Sequence, residues 1–362
     1  MTADLLGRLV LDEGIVPGRL TLEDGVIAAI EPDPAGASGP CVAAGFIDLH
    51  VHGWGGHDAM AGPAALAGMA RALLARGVTS FLPTAVSAPI DELRDFVRSV
   101  AGVEGALGAN LEGPFLSPER RGAHDARHLL RPVDVPFERL EPLLDGVRIM
   151  TVAPELPGAV ELIAWLVARG VVVSLGHSAA TLAQARAGYA AGARSTTHLL
   201  NAMTGLEHRE PGLAAAALAD DAVAVELVAD DAHVDPALYP LVARSTPGRL
   251  LLVSDAIALA GTGDGRGRIG GLEIEVLGER STLAGTEVIA GSVIGLNTAV
   301  RNLVRGGIGL TDALAAASAN PARLLGLADR GRIAVALRAD LVELDDELRI
   351  VGVLARGRRL AT

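Results

Sequence analysis

The sequence predicts a (β/α)8 barrel with a small β-sandwich domain built from both chain ends, and three observations carry that prediction. Eight short apolar runs recur at 46–51, 78–83, 106–111, 147–152, 171–175, 195–199, 223–228 and 250–253. Between them lie Ala- and Leu-rich stretches of helical character, such as 63–76, 159–169 and 182–190. Strand and helix patterns alternating over about 210 residues are the mark of such a barrel. The rival, a doubly wound open sheet, is weakened because no Gly-x-Gly-x-x-Gly opens a helix after the first run.

In chain order, residues 1–43 read as short strands separated by turn residues and form the N-terminal part of the sandwich. Residues 44–329 are the barrel, interrupted near 265–290 by a glycine- and arginine-rich hairpin, with helical patterns following at 297–305 and 311–327. Residues 330–362 return to strand patterns and complete the sandwich. Two strand-rich ends around a different middle are expected to pair with each other.

Composition narrows the function classes. Half of the 362 residues are hydrophobic but only 2% are aromatic, so the core must be built from Ala, Val, Leu and Ile. A net charge of −12 argues against nucleic acid or an anionic membrane as partner. The first residues lack the basic and apolar segments of a signal peptide, and no uncharged apolar run is long enough to span a bilayer. A soluble, cytoplasmic protein is expected. The single cysteine, Cys41, excludes an internal disulfide and a thiolate metal cluster, and reads as a buried filler. There is no lysine, so every strong cation is arginine, and no Schiff-base, P-loop or carbamylated lysine is available.

The chemistry collects at strand ends, where such barrels build their active sites. The first strand runs into His50-Val51-His52 and then glycines. Alternation puts both imidazoles on one face, about 7 Å apart along the strand, so they can hold one metal ion if they tilt together. The third strand ends at Glu112, the fifth at His177, the sixth at His198 and the eighth at Asp255. Histidine and carboxylate ligands without cysteine suit a catalytic Zn²⁺ or Fe²⁺ site, holding one or two ions per chain. Glu112 is the best-placed bridge between two ions, with Glu155 a weaker candidate, and Asp255 is the natural general base. The set as a whole points to metal-dependent hydrolysis of an amide or similar C–N bond.

Over nearly its whole length the chain resembles the N-acetylglucosamine-6-phosphate deacetylases of the amidohydrolase superfamily. The resemblance rests on Gly45-Phe-Ile-Asp-Leu-His-Val-His-Gly, Leu111-Glu-Gly-Pro-Phe-Leu with Gly122-Ala-His124, Gly176-His-Ser, Thr197-His-Leu-Leu-Asn-Ala-Met, His208-Arg-Glu-Pro-Gly, Ala229-Asp-Asp-Ala-His-Val, Leu252-Val-Ser-Asp-Ala and Ala290-Gly-Ser. It implies that Glu112, His177 and His198 hold a principal metal, and that His50 and His52 hold a second, with Glu112 bridging. It implies that Asp255 takes a proton from the attacking water and passes it to the leaving amine, while His124 polarises the acetyl carbonyl. Asn201, the Ala202 amide, Arg209 and His233 are implied to bind the sugar phosphate. His208 is expected to serve a neighbouring subunit's site in a homodimer. The chain departs from the family pattern at Asp230-Asp231-Ala232-His233 and at Ser254. Asp231, close to His233, bears on the substrate and not on the metal site.

Two alternatives are a related amidohydrolase acting on another N-acyl sugar or N-acyl amino acid, and a catalytically dead binding scaffold. His57 and His128 are expected in exposed loops without a role. Trp54, just past the histidine pair, fits either the substrate mouth or ordinary packing.

Overall fold

The structure, a computed structural model, describes residues 2–360. Eight apolar segments form strands β1 (Phe46–Val51), β2 (Val78–Ala85), β3 (Ala109–Glu112), β4 (Val147–Val152), β5 (Val172–Leu175), β6 (Ser195–Thr196), β7 (Ala224–Leu227) and β8 (Leu250–Leu252). Every residue of β1, β2 and β3 is buried, as a parallel sheet covered on both faces requires. The strands neighbour one another in chain order, all parallel. The sheet closes on itself where Val51 bridges Ala256 and the Asp255 N–H donates to the His50 carbonyl at 2.8 Å.

Helices α1 (Pro63–Leu74), α2 (Ile90–Val100), α3 (Ala159–Val167), α4 (Leu182–Ala190), α5 (Leu213–Ala219) and α6 (Tyr239–Ser245) follow β1, β2, β4, β5, β6 and β7. In α2 the buried residues Leu93, Phe96, Val97 and Val100 recur every three or four positions, giving one apolar stripe against the barrel. Thr181 and Gln184 form a capping box that starts α4, a device worth about 1 kcal/mol. Arg249, mostly buried, donates to the carbonyls of Ala217, Leu218, Val223 and Ser245, tying the ends of α5 and α6 to the approach to β7.

The alternation fails once. After β3 the chain makes five short 3-10 turns between Pro118 and Leu143 instead of an α-helix. Pro118, Pro132, Pro136 and Pro142 fall in this stretch, and proline stops a helix by removing a donor and clashing with the preceding turn. Two strands also differ from the sequence expectation. β3 begins at Ala109 and not at 106, and β6 stops at Thr196 because His198, Leu200 and Ala202 take positive φ.

Ile47, Leu49, Leu82, Ile149, Val228, Leu251 and Val253 converge in one apolar cluster. They come from strands around the whole circumference, so the cluster fills the barrel interior. Ala322 and Leu325 close it off, at the tail formed by α7 (Leu296–Arg305), α8 (Leu310–Ala316) and α9 (Ala319–Leu324). The single helical stretch expected at 311–327 is broken around Ser318, which adopts an extended φ of −143°.

The two chain ends meet in one seven-stranded sheet. Its order is Arg358–Arg359, Ile350–Ala355, Leu341–Leu344, Cys41–Ala44, Thr2–Leu11, Gly14–Glu23 and Val26–Pro32. Cys41–Ala44 joins the halves, antiparallel to Leu341–Leu344 and parallel to Thr2–Leu11. Leu5, Leu9, Leu20, Ile27, Leu341 and Leu354 form its own core. The expected hairpin is three antiparallel strands, Gly265–Ile269, Leu272–Leu277 and Arg280–Leu283. Its apolar face packs on Val86 and Ile257, just past β2 and β8. Among the described residues no helix is long and apolar enough to cross a membrane.

Candidate metal centre at the barrel mouth

The strand ends and the loop after β3 bring His50, His52, Glu112, His124, His177, His198 and Asp255 together in one cluster, each less than 6% exposed. The Nε2 atoms of His50 and His52 lie 3.2 Å apart. The spacing along the strand is thus closed by tilting of the rings, at a point where the β1 register against β2 shifts. Glu112 sits between two histidine pairs. Its Oε1 is 3.1 Å from His177 Nε2 and 2.9 Å from His198 Nε2, and its Oε2 is 3.3 Å from His52 Nε2. Two groups of three therefore share Glu112: His50, His52 and Glu112, and Glu112, His177 and His198.

Second contacts aim the rings. His50 Nδ1 is 3.2 Å from Glu226 Oε2, His52 Nδ1 is 3.2 Å from the Thr84 carbonyl, and His177 Nδ1 is 2.8 Å from the Arg120 carbonyl. Each partner only accepts, so in the neutral ring each Nδ1 carries the proton and each Nε2 presents a lone pair to the centre. His177 Nε2 and Glu112 Oε1 are then two acceptors 3.1 Å apart, with His198 Nε2 2.9 Å from the same oxygen, and the two acceptors repel unless positive charge lies between them. This convergence, in nitrogen and oxygen donors without sulfur, fits a divalent cation.

The electrostatics agree. Burial would depress the His50 imidazole, but Glu112, Glu226 and Asp255 outweigh it and hold it well above its usual range. His52 likewise rises to about 9 against burial, through Asp255 and Glu112. Burial would raise Glu112, yet the surrounding histidines, His50 first, hold it well below the carboxylate range.

His124 reaches the centre from the turn-rich loop after β3. Gly122, at φ 53°, lets this loop pass so close that a Cβ there would lie 3.1 Å from His177 Cε1. The Ser87 N–H donates to His124 Nδ1 at 3.1 Å, which leaves the neutral ring's proton on Nε2, 3.2 Å from Glu112 Oε2. Burial pulls His124 down to about 4, with Glu112 only partly offsetting it. It is thus a neutral donor.

Asp255 takes φ 49° at the end of β8. Gly291 of the Ala290-Gly-Ser motif allows this close packing, since a Cβ there would meet the Asp255 carbonyl at 2.8 Å. Asp255 Oδ1 is 3.2 Å from His52 Nε2, and Oδ2 is 3.5 Å from His233 Nε2. Burial opposes ionisation, but His233 and His52 hold the carboxyl well below its usual range. Asp230 in turn grips His233 through Nδ1 at 2.7 Å and its backbone N–H at 2.7 Å.

The other expected residues divide. Asn201 and Ala202 lie half-buried on the loop after β6, where Ala202 (φ 49°) accepts from the Ser178 N–H at 3.0 Å. Arg209 and His208 are exposed on the same loop, and neither has an ion pair or hydrogen bond among the described residues. Glu155 is not a bridge, because its oxygens accept from the Ala179 N–H at 2.6 Å and the Ser178 hydroxyl at 2.7 Å. Asp231 pairs with Arg305 and Tyr239, away from His233. Trp54 is buried beneath Gly261 and Gly295, a packing role. His57 is not in an exposed loop; it pairs with Trp54 in a two-stranded ribbon, its ring against Gly68 of α1. Cys41 is buried as expected.

Three residues were not anticipated: Glu226, Asp48 and Ser87. Glu226 is fully buried and also accepts from the His198 N–H at 3.2 Å. Its only sequence signal is a carboxylate within the apolar run 223–228. Asp48, pushed up to about 6 by burial, accepts from the N–H groups of His50 and Ser254 and joins β1 to β8.

A closed parallel barrel with two histidine pairs around one shared carboxylate defines a metal-dependent hydrolase. The chain belongs to the amidohydrolase family, which it matches over residues 41–360. It is 38% identical to the N-acetylgalactosamine-6-phosphate deacetylase of Escherichia coli O157:H7, over 97% of each chain. It is also 38% identical to the N-acetylglucosamine-6-phosphate deacetylase of Bos taurus, covering 95% of this chain and 87% of that one. In structure it superposes on an N-acetyl-D-glucosamine-6-phosphate deacetylase mutant from Mycobacterium smegmatis, in complex with N-acetyl-D-glucosamine-6-phosphate, with a TM-score of 0.93 and 36% identity over all of both chains.

Proposed function

We propose that the chain hydrolyses the acetamide of N-acetylglucosamine 6-phosphate to glucosamine 6-phosphate and acetate. The observation that carries this is Asp255 held ionised beside His50 and His52, with a neutral N–H donor, His124, across Glu112. Up to two divalent ions, zinc or iron, would be held by His50, His52, Glu112, His177 and His198. When bound they supply Lewis-acid chemistry.

The remaining work falls to the protein. The buried mouth excludes bulk water, which strengthens every charge interaction inside it. His124 Nε2–H, which meets Glu112 Oε2 at 3.2 Å, would turn its proton to the acetyl oxygen as that atom gains charge, as an oxyanion donor does. Asp255 accepts the proton of the attacking water and returns it to the departing amine. His233, fixed by Asp230, orients both Asp255 and a sugar hydroxyl. The free Ala202 N–H, Asn201 and the unpaired Arg209 provide donors for sugar and phosphate, guanidinium being suited to phosphate through two parallel N–H groups. His208, exposed and unpaired, would serve a neighbouring subunit's site in a homodimer.

The E. coli relative favours a second substrate, the galacto epimer of the same phosphosugar. Acetate release from the gluco and galacto 6-phosphates and from unphosphorylated N-acetylglucosamine tests both readings. The gluco 6-phosphate is expected to give the highest kcat/KM; equal turnover of the unphosphorylated sugar would overturn the assignment. Arg209→Ala should raise KM for the phosphosugar and leave the unphosphorylated sugar nearly unchanged.

A further inference from the structure

At the opposite end of the barrel, a cleft of about 1330 Å³ opens between the starts of β2 and β3, helix α1 and the sheet formed by the chain ends. It exceeds the roughly 300–1,000 Å³ usual for small-molecule sites. Five arginines line it, Arg71, Arg330, Arg338, Arg356 and Arg358, with Asp24 and Glu104 as the only carboxylates among its lining residues.

Two of these arginines are partly neutralised. Arg330 pairs with Asp329 and donates to the Ser80 hydroxyl at 2.9 Å, and Arg338 lies 2.7 Å from Asp340. The Arg338 Nε–H is nonetheless buried without a partner. The side chains of Arg71, Arg356 and Arg358 have no ion pair or hydrogen bond among the described residues, and Arg356 takes a positive φ of 48°. Burial and the nearby Arg330 and Arg356 depress the Arg338 guanidinium, while Asp340 opposes them.

Arg71, Arg356 and Arg358 are exposed, so their donors are open to a ligand, and the cleft gathers like charge around the one buried, unpartnered donor of its arginines, Arg338 Nε–H, in a chain whose net charge is −12. A multiply charged anion meets both needs, since guanidinium forks bind phosphate oxygens in pairs. We propose that this cleft binds a small molecule carrying linked phosphates, at a site separate from the catalytic mouth. The three unpaired guanidiniums call for a ligand of about three negative charges, which a diphosphate group supplies and a single phosphate does not.

The test is calorimetric titration of the metal-loaded protein with magnesium-free pyrophosphate, with elemental analysis afterwards to confirm that the catalytic ions stay in place. Wild type is expected to bind one equivalent that is at least tenfold weaker in Arg356→Ala/Arg358→Ala and in Arg71→Ala, with acetate release and Tm unchanged. Inorganic phosphate should bind at least tenfold more weakly than pyrophosphate. Equal pyrophosphate binding by wild type and both variants, or no saturable binding to wild type, overturns the proposal. A fall in Tm without a change in binding overturns it too, because the arginines then serve only to hold the sheet to the barrel.

Discussion

The two histidine pairs around Glu112 are built differently. His50 and His52 leave a single strand, where alternation alone puts both side chains on one face. His177 and His198 come from neighbouring strands, β5 and β6, and each takes a positive φ, 45° and 27°. That conformation costs a non-glycine residue about 1–2 kcal/mol and persists only where its surroundings over-determine it. The surroundings here are specific: His177 is held by the Arg120 carbonyl, and the loop after β6 is pinned where Met203 bridges Ser178. One pair is thus preformed by local geometry, while the other exists only in the closed barrel. Their outer contacts differ as well. His50 and His52 each rest on an acceptor through Nδ1, whereas His198 Nδ1 is buried without a partner.

The sharpest way to break this comparison is to remove one ligand from each pair. His177→Asn is expected to abolish ion binding by its pair and to lower kcat by on the order of 10³, the several kcal/mol that Lewis-acid stabilisation is worth. His50→Asn should instead reduce the metal content by one equivalent and leave measurable turnover. Elemental analysis with acetate-release kinetics separates the two; identical losses would mean that the pairs act as one unit.

Asp255→Asn probes the group that faces the first pair. It keeps the shape and removes the proton acceptor, so kcat should fall about 10²- to 10⁴-fold while KM stays close to wild type. Wild-type turnover in this variant would remove Asp255 from the mechanism.

Glu226→Gln tests whether the outer carboxylate belongs to one pair or to both. Its Oε2 meets His50 through the side chain but His198 only through the backbone N–H. Metal affinity of the His50/His52 group should weaken about 10- to 100-fold. The His177/His198 group should change little. Chelator competition read by metal release measures both.

The smallest effect is expected at Ser87. Ser87→Ala removes a hydroxyl 3.0 Å from His124 Nδ1 but keeps the backbone N–H that sets the ring's tautomer. Thermal unfolding should show a loss of about 1 kcal/mol, with kcat near wild type. A large fall in kcat would show that the hydroxyl, and not the amide, controls His124.

The barrel and the residues that could hold a metal at its mouth were legible in the chain because they depend on short-range pattern. Apolar runs separated by helical stretches give strands and helices in order, and each ligand stands at the end of its own run. His50 and His52 illustrate the strongest case, two residues apart with one rule of geometry between them. Glu112, His177, His198 and Asp255 required only the further rule that barrel chemistry gathers where strands end.

What only the tertiary structure decided are the relations between distant segments. That Glu112 and not Glu155 faces both pairs, that Glu226 backs His50, and that Asp48 ties β1 to β8 follow from which strands face each other across the closed barrel. The same holds for His124, brought to Glu112 by a proline-interrupted loop whose path no periodicity describes. Glu155 shows the converse: beside a strand end it looks like a ligand, yet its oxygens are taken by the Ser178 hydroxyl and the Ala179 N–H. Local pattern records which face a side chain takes within its own element. A carboxylate's partner is set by contacts closed over tens to hundreds of residues, and that choice is made by packing of the whole chain.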